Sequence, residues 1–219
     1  MLPKNHPFRT FKVQISAMPY PYQIKNHNEY NAAYKKSIED PEGFWGSIAE
    51  HFQWRKKWDK VLDWNFKEPS VKWFEGGKLN ITENCIDRHL ATMGDKPAII
   101  WEPNNPEDRT RIVTWNRLHK RVCQFAQVLT NLGVKKGDRV GIFMPNLPQF
   151  VIVYFGILKA GGVVIAVNPT YPVEEILTPV NDAGIEVMFT LSRFYGKVKE
   201  VREKSGLKKI IVSNLKEAL

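Results

Sequence analysis

The first residues in this chain with a claim on chemistry are the glycines of GILKAGGVVIAVNPTYP, residues 156–172. A glycine loop that cradles phosphate follows a strand and opens a helix, because the amides and dipole of the helix N-terminus must face the anion. Here the order is reversed. An apolar helical stretch, QFVIVYFGILKA, precedes Gly161 and Gly162, and the β-branched run VVIAV follows them. The pair reads as a helix terminator that adopts positive φ and satisfies terminal carbonyls. Neither GxxxxGK[ST] nor GxGxxG occurs anywhere in the chain.

Other chemically competent side chains are scattered. Cys85 and Cys123 are the only cysteines and form no CxxC, which argues against a metal site or a disulfide framework and for a reducing, cytoplasmic setting. His89, between Arg88 and Leu90, has no carboxylate or nucleophile placed to complete a site, so it reads as a packing or helix-terminal histidine rather than a general base. Lys56 and Lys57 between Trp54 and Trp58 have the ingredients of a nucleic-acid stacking surface. Aromatics at helical spacing are more often core contacts, and no nucleic-acid partner is expected. Asn80-Ile81-Thr82 fits a glycosylation acceptor, irrelevant in the cytoplasm. No metal ligands and no catalytic residue emerge.

The elements that would position such groups change character along the chain. Its 219 residues carry a formal charge of +9, from 32 Lys and Arg against 23 acids. The excess is dispersed, as on a surface that handles anionic metabolites, rather than gathered into a nucleic-acid patch. No apolar run approaches the roughly 18 residues that span a bilayer. Residues 1–28 hold Lys4, Arg9, Lys12 and Lys25 without an acid, but Pro3, Pro7, Pro19 and Pro21 break any amphipathic helix. They are expected to be a loose, disordered leader. All seven tryptophans lie between Trp45 and Trp115. In residues 29–66 the periodicity predicts short helices separated at Pro41, with Phe44, Ile48 and Phe52 on one stripe.

From residue 96 onward the pattern is regular. KPAIIWE and RIVTW are predicted strands around the turn cluster EPNNPED. Thr114 is placed to cap a helix whose apolar face is Leu118, Val122, Phe125, Ala126, Leu129 and Leu132, with Gly133 at its end. RVGIFM, VVIAV, VMFTL and KKIIVSN then alternate with three helical stretches, one of them interrupted by Pro179. That alternation predicts an α/β fold: a partial, doubly wound, mostly parallel sheet preceded by a small helical leader region.

These residues also carry a family resemblance. LKAGGVVIAVNP (158–169) resembles the second core motif of the adenylate-forming superfamily, which includes acyl-CoA synthetases, luciferases and peptide-synthetase adenylation domains. VTWNRLHKRV (113–122) and LGVKKGDRVGIFMPN (132–146) are similar to its first motif and the strand after it. Residues 30–90, and above all FEGGKLNITENCIDRHL (74–90), resemble the N-terminal region of AMP-forming acetyl-CoA synthetases. Residues 30–145 thus resemble acetyl-CoA synthetase. Residues 140–219, with LPQFVIVYFGILKAGG and NPTYPVEEILTPVNDAG, resemble long- and medium-chain fatty acyl-CoA synthetases, a mosaic.

The resemblance implies a division into a leader (1–28), an acetyl-CoA-synthetase-type N-terminal region (29–90) and the first α/β subdomain of an adenylating domain (91–219), truncated. It implies a parent that joins a carboxylate to CoA through an acyl adenylate, with ATP, Mg²⁺ and CoA, acting on acetate or another short-chain acid. The superfamily's phosphate loop and catalytic lysine are not found among these residues, so the chain alone is expected to bind no cofactor and to be inactive, its partner being the missing C-terminal portion. Self-association through an exposed sheet edge is a further expectation. Where the family receives CoA, this chain has SRFYGKVKE (192–200) in place of an arginine pair. Arg193, Lys197 and Lys199 are the candidate phosphate contacts implied there, against the plainer reading of a solvated helix face. A non-catalytic module that binds CoA or an acyl carrier is the alternative.

Overall fold

The computed structural model describes residues 23–103, 107 and 110–215. Most of the expected leader, and most of the EPNNPED turn, lie outside the described residues. The described residues form two compact units, one within 23–51 and 61–72 and the other within 52–60 and 73–215.

In the first unit, α1 (His27–Glu39) starts on an Asn26 cap. Asn26 Oδ1 accepts from the Glu29 amide at 2.9 Å while the Glu29 carboxylate accepts from the Lys25 amide at 2.8 Å, so two orphan donors are satisfied reciprocally. Asp40 ends α1 and caps α2 (Pro41–Ala49), with proline at the first helical position. Because α2 stops at Ala49, Phe52 does not extend the Phe44/Ile48 stripe as the spacing predicts. It belongs to the second unit, where the Arg88 guanidinium lies 5.9 Å from its ring. β1 (Lys60–Asn65) and β2 (Ser70–Glu75) form a two-stranded ribbon.

In the second unit, short helices α3 (Ile81–Cys85) and α4 (Leu90–Met93) flank a 3₁₀ turn at Asp87–His89. β3 (Pro97–Trp101) and β4 (Arg111–Thr114) pair antiparallel, with Ile100 opposite Ile112. Thr114 then caps α5 (Trp115–Asn131), its hydroxyl accepting from the Arg117 amide at 3.3 Å. The remaining elements alternate: β5 (Arg139–Phe143), α6 (Pro148–Lys159), β6 (Val163–Val167), α7 (Val173–Ala183), β7 (Val187–Leu191), α8 (Tyr195–Glu203) and β8 (Lys209–Ser213). The four strands are all parallel, in the order β6-β5-β7-β8.

Alternation along these strands divides the core in two. Val140 and Ile142 of β5, with Val187, Phe189 and Leu191 of β7, pack on Leu129 of α5 and on Val153 and Ile157 of α6. Phe143 and Met188 point the other way, onto Ile176 and Val180 of α7 and Val198 and Val201 of α8. The sheet is covered on both faces, which is why its strands read as unbroken apolar runs. Pro179 does not interrupt α7, which runs through it to Gly184 at φ 62°. Burial of Ile176 and Val180 on either side holds the turn together despite the missing donor. Gly161, at φ 85°, closes α6: its amide reaches the Leu158 carbonyl at 3.1 Å, and that of Gly162 the Ile157 carbonyl at 2.9 Å. Among the described residues no helix is long and apolar enough to cross a membrane.

Candidate functional site

In a doubly wound sheet, ligands sit beyond the carboxyl ends of the strands, where successive connections leave toward opposite faces. Here that point lies between β5, whose chain passes into α6, and β7, whose chain passes into α8. The wholly buried Thr190 hydroxyl donates to the Phe143 carbonyl at 2.9 Å, tying the two strand ends together. Phe194 meets the Phe143 ring edge-on at 5.5 Å and packs against both halves of the core. The crevice floor is therefore an aromatic plug, and polar contacts must come from the loops above it.

All three sequence-predicted phosphate contacts are exposed. The Arg193 guanidinium sits 5.1 Å from the Phe194 ring centroid. Lys197 Nζ donates to the Tyr171 carbonyl at 3.1 Å, bracing the loop after β6. Lys199 follows on α8 across the buried Val198, so it projects about 200° around the helix from Lys197. Arg193 and Lys197 share the loop side of the rim, whereas Lys199 is not brought to the same face.

FEGGKLNITENCIDRHL works as a clamp within the second unit. Phe74, at φ 50°, packs its ring against both Trp54 and Trp58, 5.5 and 5.2 Å away, and the two indoles meet each other at 5.0 Å. Trp54 and Trp58 are thus core contacts, with Lys56 paired to Asp59 at 2.9 Å and Lys57 set 5.2 Å over the Trp58 ring. Gly76 has φ 76°, and a Cβ there would fall 2.0 Å from the Asp59 carboxylate. Asn84, 3% exposed, accepts from the Gln53 amide at 2.7 Å and donates to the Gln53 carbonyl at 3.0 Å. Asn80 donates to the Leu158 carbonyl at 2.9 Å, and Lys159 pairs with Asp87 at 2.7 Å, so the motif is bolted to the end of α6. An Arg55–Glu83 pair completes the clamp; the guanidinium's hydrogen bonds hold the Glu83 carboxyl below its usual range.

His119 Nε2 lies 3.4 Å from Asp87 Oδ1 and 3.4 Å from Cys123 Sγ. A relay needs the two ring nitrogens to serve the two partners separately. Here one nitrogen faces both, so the group is an electrostatic cluster and not a nucleophile with its base. His89 packs its ring 5.3 Å from Trp115, and burial together with Arg88 lowers its pKa, in line with a packing histidine. Among the described residues no group of three His, Cys, Asp or Glu is placed to hold a metal ion.

Sequence reasoning missed a cleft of about 660 Å³ walled by β4, α5 and the start of α6, with Arg111, Arg117, Arg121 and Gln149 on its lining. The i, i+4 spacing of Arg117 and Arg121 is visible in the sequence, but the approach of β4 and α6 to that helix face is not. A smaller cleft of about 220 Å³ at the opposite end of the sheet holds Arg139 and Lys209. Both are spent on helix ends, donating to the carbonyls of Ala183 and Leu132.

Residues 86–218 match the family model of the AMP-binding enzymes, and residues 30–85 that of the acetyl-coenzyme A synthetase N-terminus. The chain belongs to the AMP-binding enzyme family. Among its relatives, the acetyl-coenzyme A synthetase of Bdellovibrio bacteriovorus is 40% identical over 185 residues, covering 84% of this chain and 29% of that protein. The acetyl-coenzyme A synthetase of Magnetococcus marinus is 42% identical over 166 residues, 75% of this chain and 26% of that one. A solved structure, acetoacetyl-CoA synthetase from Streptomyces lividans, superposes with a TM-score of 0.77 at 25% identity, covering 89% of this chain and 31% of that one. This member of the family thus spans between a quarter and a third of the length of these relatives. A match of 185 residues within 219 must run past residue 145 wherever it begins. Similarity to acetyl-coenzyme A synthetase therefore continues into the segment whose motifs resemble fatty acyl-CoA synthetases.

Proposed function

We propose that the chain forms the opening portion of an AMP-forming acyl-CoA synthetase that acts on acetate or another short-chain acid, and that its own part is structural. The observation that carries this reading is the 40% identity to an acetyl-coenzyme A synthetase over 84% of the chain. In such an enzyme ATP and Mg²⁺ activate the carboxylate as an adenylate, and the CoA thiol then displaces AMP. This chain's residues supply the frame: the doubly covered sheet, the 74–90 clamp, and the Phe143–Phe194 ring contact at the carboxyl ends of β5 and β7. We assign residues 29–90 to the acetyl-CoA-synthetase-type region and 91–219 to the first α/β subdomain.

Arg193 and Lys197 fit a phosphate at the carboxyl rim, since a guanidinium and an ammonium there make charge-assisted bonds to phosphate oxygens. Lys199, facing elsewhere, adds longer-range attraction only. Alone, the chain has no phosphate loop and no catalytic lysine to stabilise the charge that develops on the transferring groups, so it is inactive without the remainder of the enzyme. The open edges of β6 and β8, with Val163 and Val212 more than two-fifths exposed, favour association with that remainder or with a second copy.

Reconstitution tests the proposal. Mixed with the remaining C-terminal portion of an acetyl-coenzyme A synthetase, the chain should restore acetate- and CoA-dependent pyrophosphate release. Arg193→Gln with Lys197→Gln should raise the KM for CoA while leaving that for ATP unchanged. Failure of every short-chain acid to support turnover in a stably assembled complex would refute the reading.

A further inference from the structure

The cleft beside α5 has features that the scaffold role does not use. Its lining includes Arg111, Arg117 and Arg121 and, among the described residues, no acidic residue. None of the three arginines has an ion-pair partner among the described residues, and the nearby Glu102 carboxylate accepts from the Thr110 hydroxyl at 2.7 Å. Gln149 lines the same cleft. It is only 6% exposed, yet among the described residues neither its side-chain oxygen nor its nitrogen has a hydrogen-bond partner. A buried carboxamide left in that state costs the desolvation of two polar atoms. Gln149 is also the second residue of α6, a twelve-residue helix whose N-terminus has no side-chain cap, so the positive end of the helix dipole lies beside it. The rest of the lining is mostly apolar, including Phe125, Ile152 and Phe189, with Thr110, Gln124 and Ser213 as its other polar residues.

We propose that this cleft binds a small organic anion, a carboxylate or phosphate head on an apolar body. The arginines and the uncapped start of α6 attract the head, Gln149 supplies its orphaned amide to the ligand's polar atoms, and Phe125, Ile152 and Phe189 receive the body. The volume of about 660 Å³ falls within the range of small-molecule sites. The site lies apart from the Arg193 rim and does not depend on the synthetase reading.

The test is calorimetric titration of the 219-residue chain with octanoate, octyl phosphate and inorganic phosphate. Saturable 1:1 binding of one or both octyl anions is expected, the tighter one identifying the head, with inorganic phosphate at least tenfold weaker than octyl phosphate. Arg117→Gln with Arg121→Gln, both exposed positions where glutamine suits the helix, should weaken binding at least tenfold with an unchanged circular dichroism spectrum. Gln149→Leu should also weaken it, and Lys199→Gln should not. Absence of saturable heat, equal affinity in the folded double variant, or inorganic phosphate binding as tightly as octyl phosphate would each overturn the proposal.

Discussion

Truncating Asn84 to alanine probes the clamp most sharply. Its carboxamide makes two hydrogen bonds to one backbone unit, accepting from the Gln53 amide at 2.7 Å and donating to the Gln53 carbonyl at 3.0 Å, and only 3% of the residue is exposed. Each bond contributes about 1 kcal/mol net, and packing lost with the side chain adds to this, for a cost of about 2–3 kcal/mol. In a chain of this size that is a fall in Tm of roughly 4–12 °C. Urea denaturation followed by tryptophan fluorescence reads it directly, because Trp54 lies one residue from Gln53. Asn84→Asp separates hydrogen bonding from packing. Ionised, it keeps the acceptor but sets a charge against the Gln53 carbonyl; protonated, it regains a donor, so its deficit should shrink as pH falls. A loss under about 0.5 kcal/mol for Asn84→Ala, or a pH-independent Asn84→Asp deficit, would refute the reasoning.

Three further outcomes follow from local geometry. Gly161→Ala forces a side chain into φ 85° at the end of α6 and should cost about 1–2 kcal/mol in the same urea assay. Glu83 is held below its usual pKa, first by the Arg55 hydrogen bonds, so its contribution is full above the ordinary carboxylate range and is lost as pH falls through the folded value. Glu83→Gln should abolish that part of the acid dependence, and added salt should diminish the difference between the two proteins. His89 is held below the ordinary imidazole value of 6.5, first by burial and then by Arg88. The unfolded chain takes up the proton more readily, so stability should be full above that value and decline as pH descends below it. His89→Gln should flatten the profile between pH 7 and 5.

The second unit was legible because its central strands β5 and β7 are buried on both faces and its helices on one. Apolar runs such as RVGIFM and the 3.6-residue stripe of α5 follow from that burial alone, and Thr114, Gly133 and Gly161 mark helix ends through their own conformational chemistry. Phe52 and Pro179 were misread because periodicity carries no information about where a helix stops or what braces a proline. The role of 74–90 as a clamp was hidden for a different reason. Asn84, Asn80 and Asp87 act on Gln53, Leu158 and Lys159, up to 78 residues away in sequence. The rim residues Arg193, Lys197 and Lys199 were reached through resemblance, and only three-dimensional placement separates Lys199 from the other two. No local pattern announces the orphaned Gln149, because a buried amide without a partner is a property of its surroundings.

The central claim is that these residues frame a site whose reactive groups lie elsewhere. Acid-dependent exchange of pyrophosphate into ATP, measured on the purified 219-residue chain with acetate and Mg²⁺, tests it most directly. The account predicts exchange no faster than in the protein-free control. Saturable, acetate-dependent exchange by this chain without any added protein would contradict it.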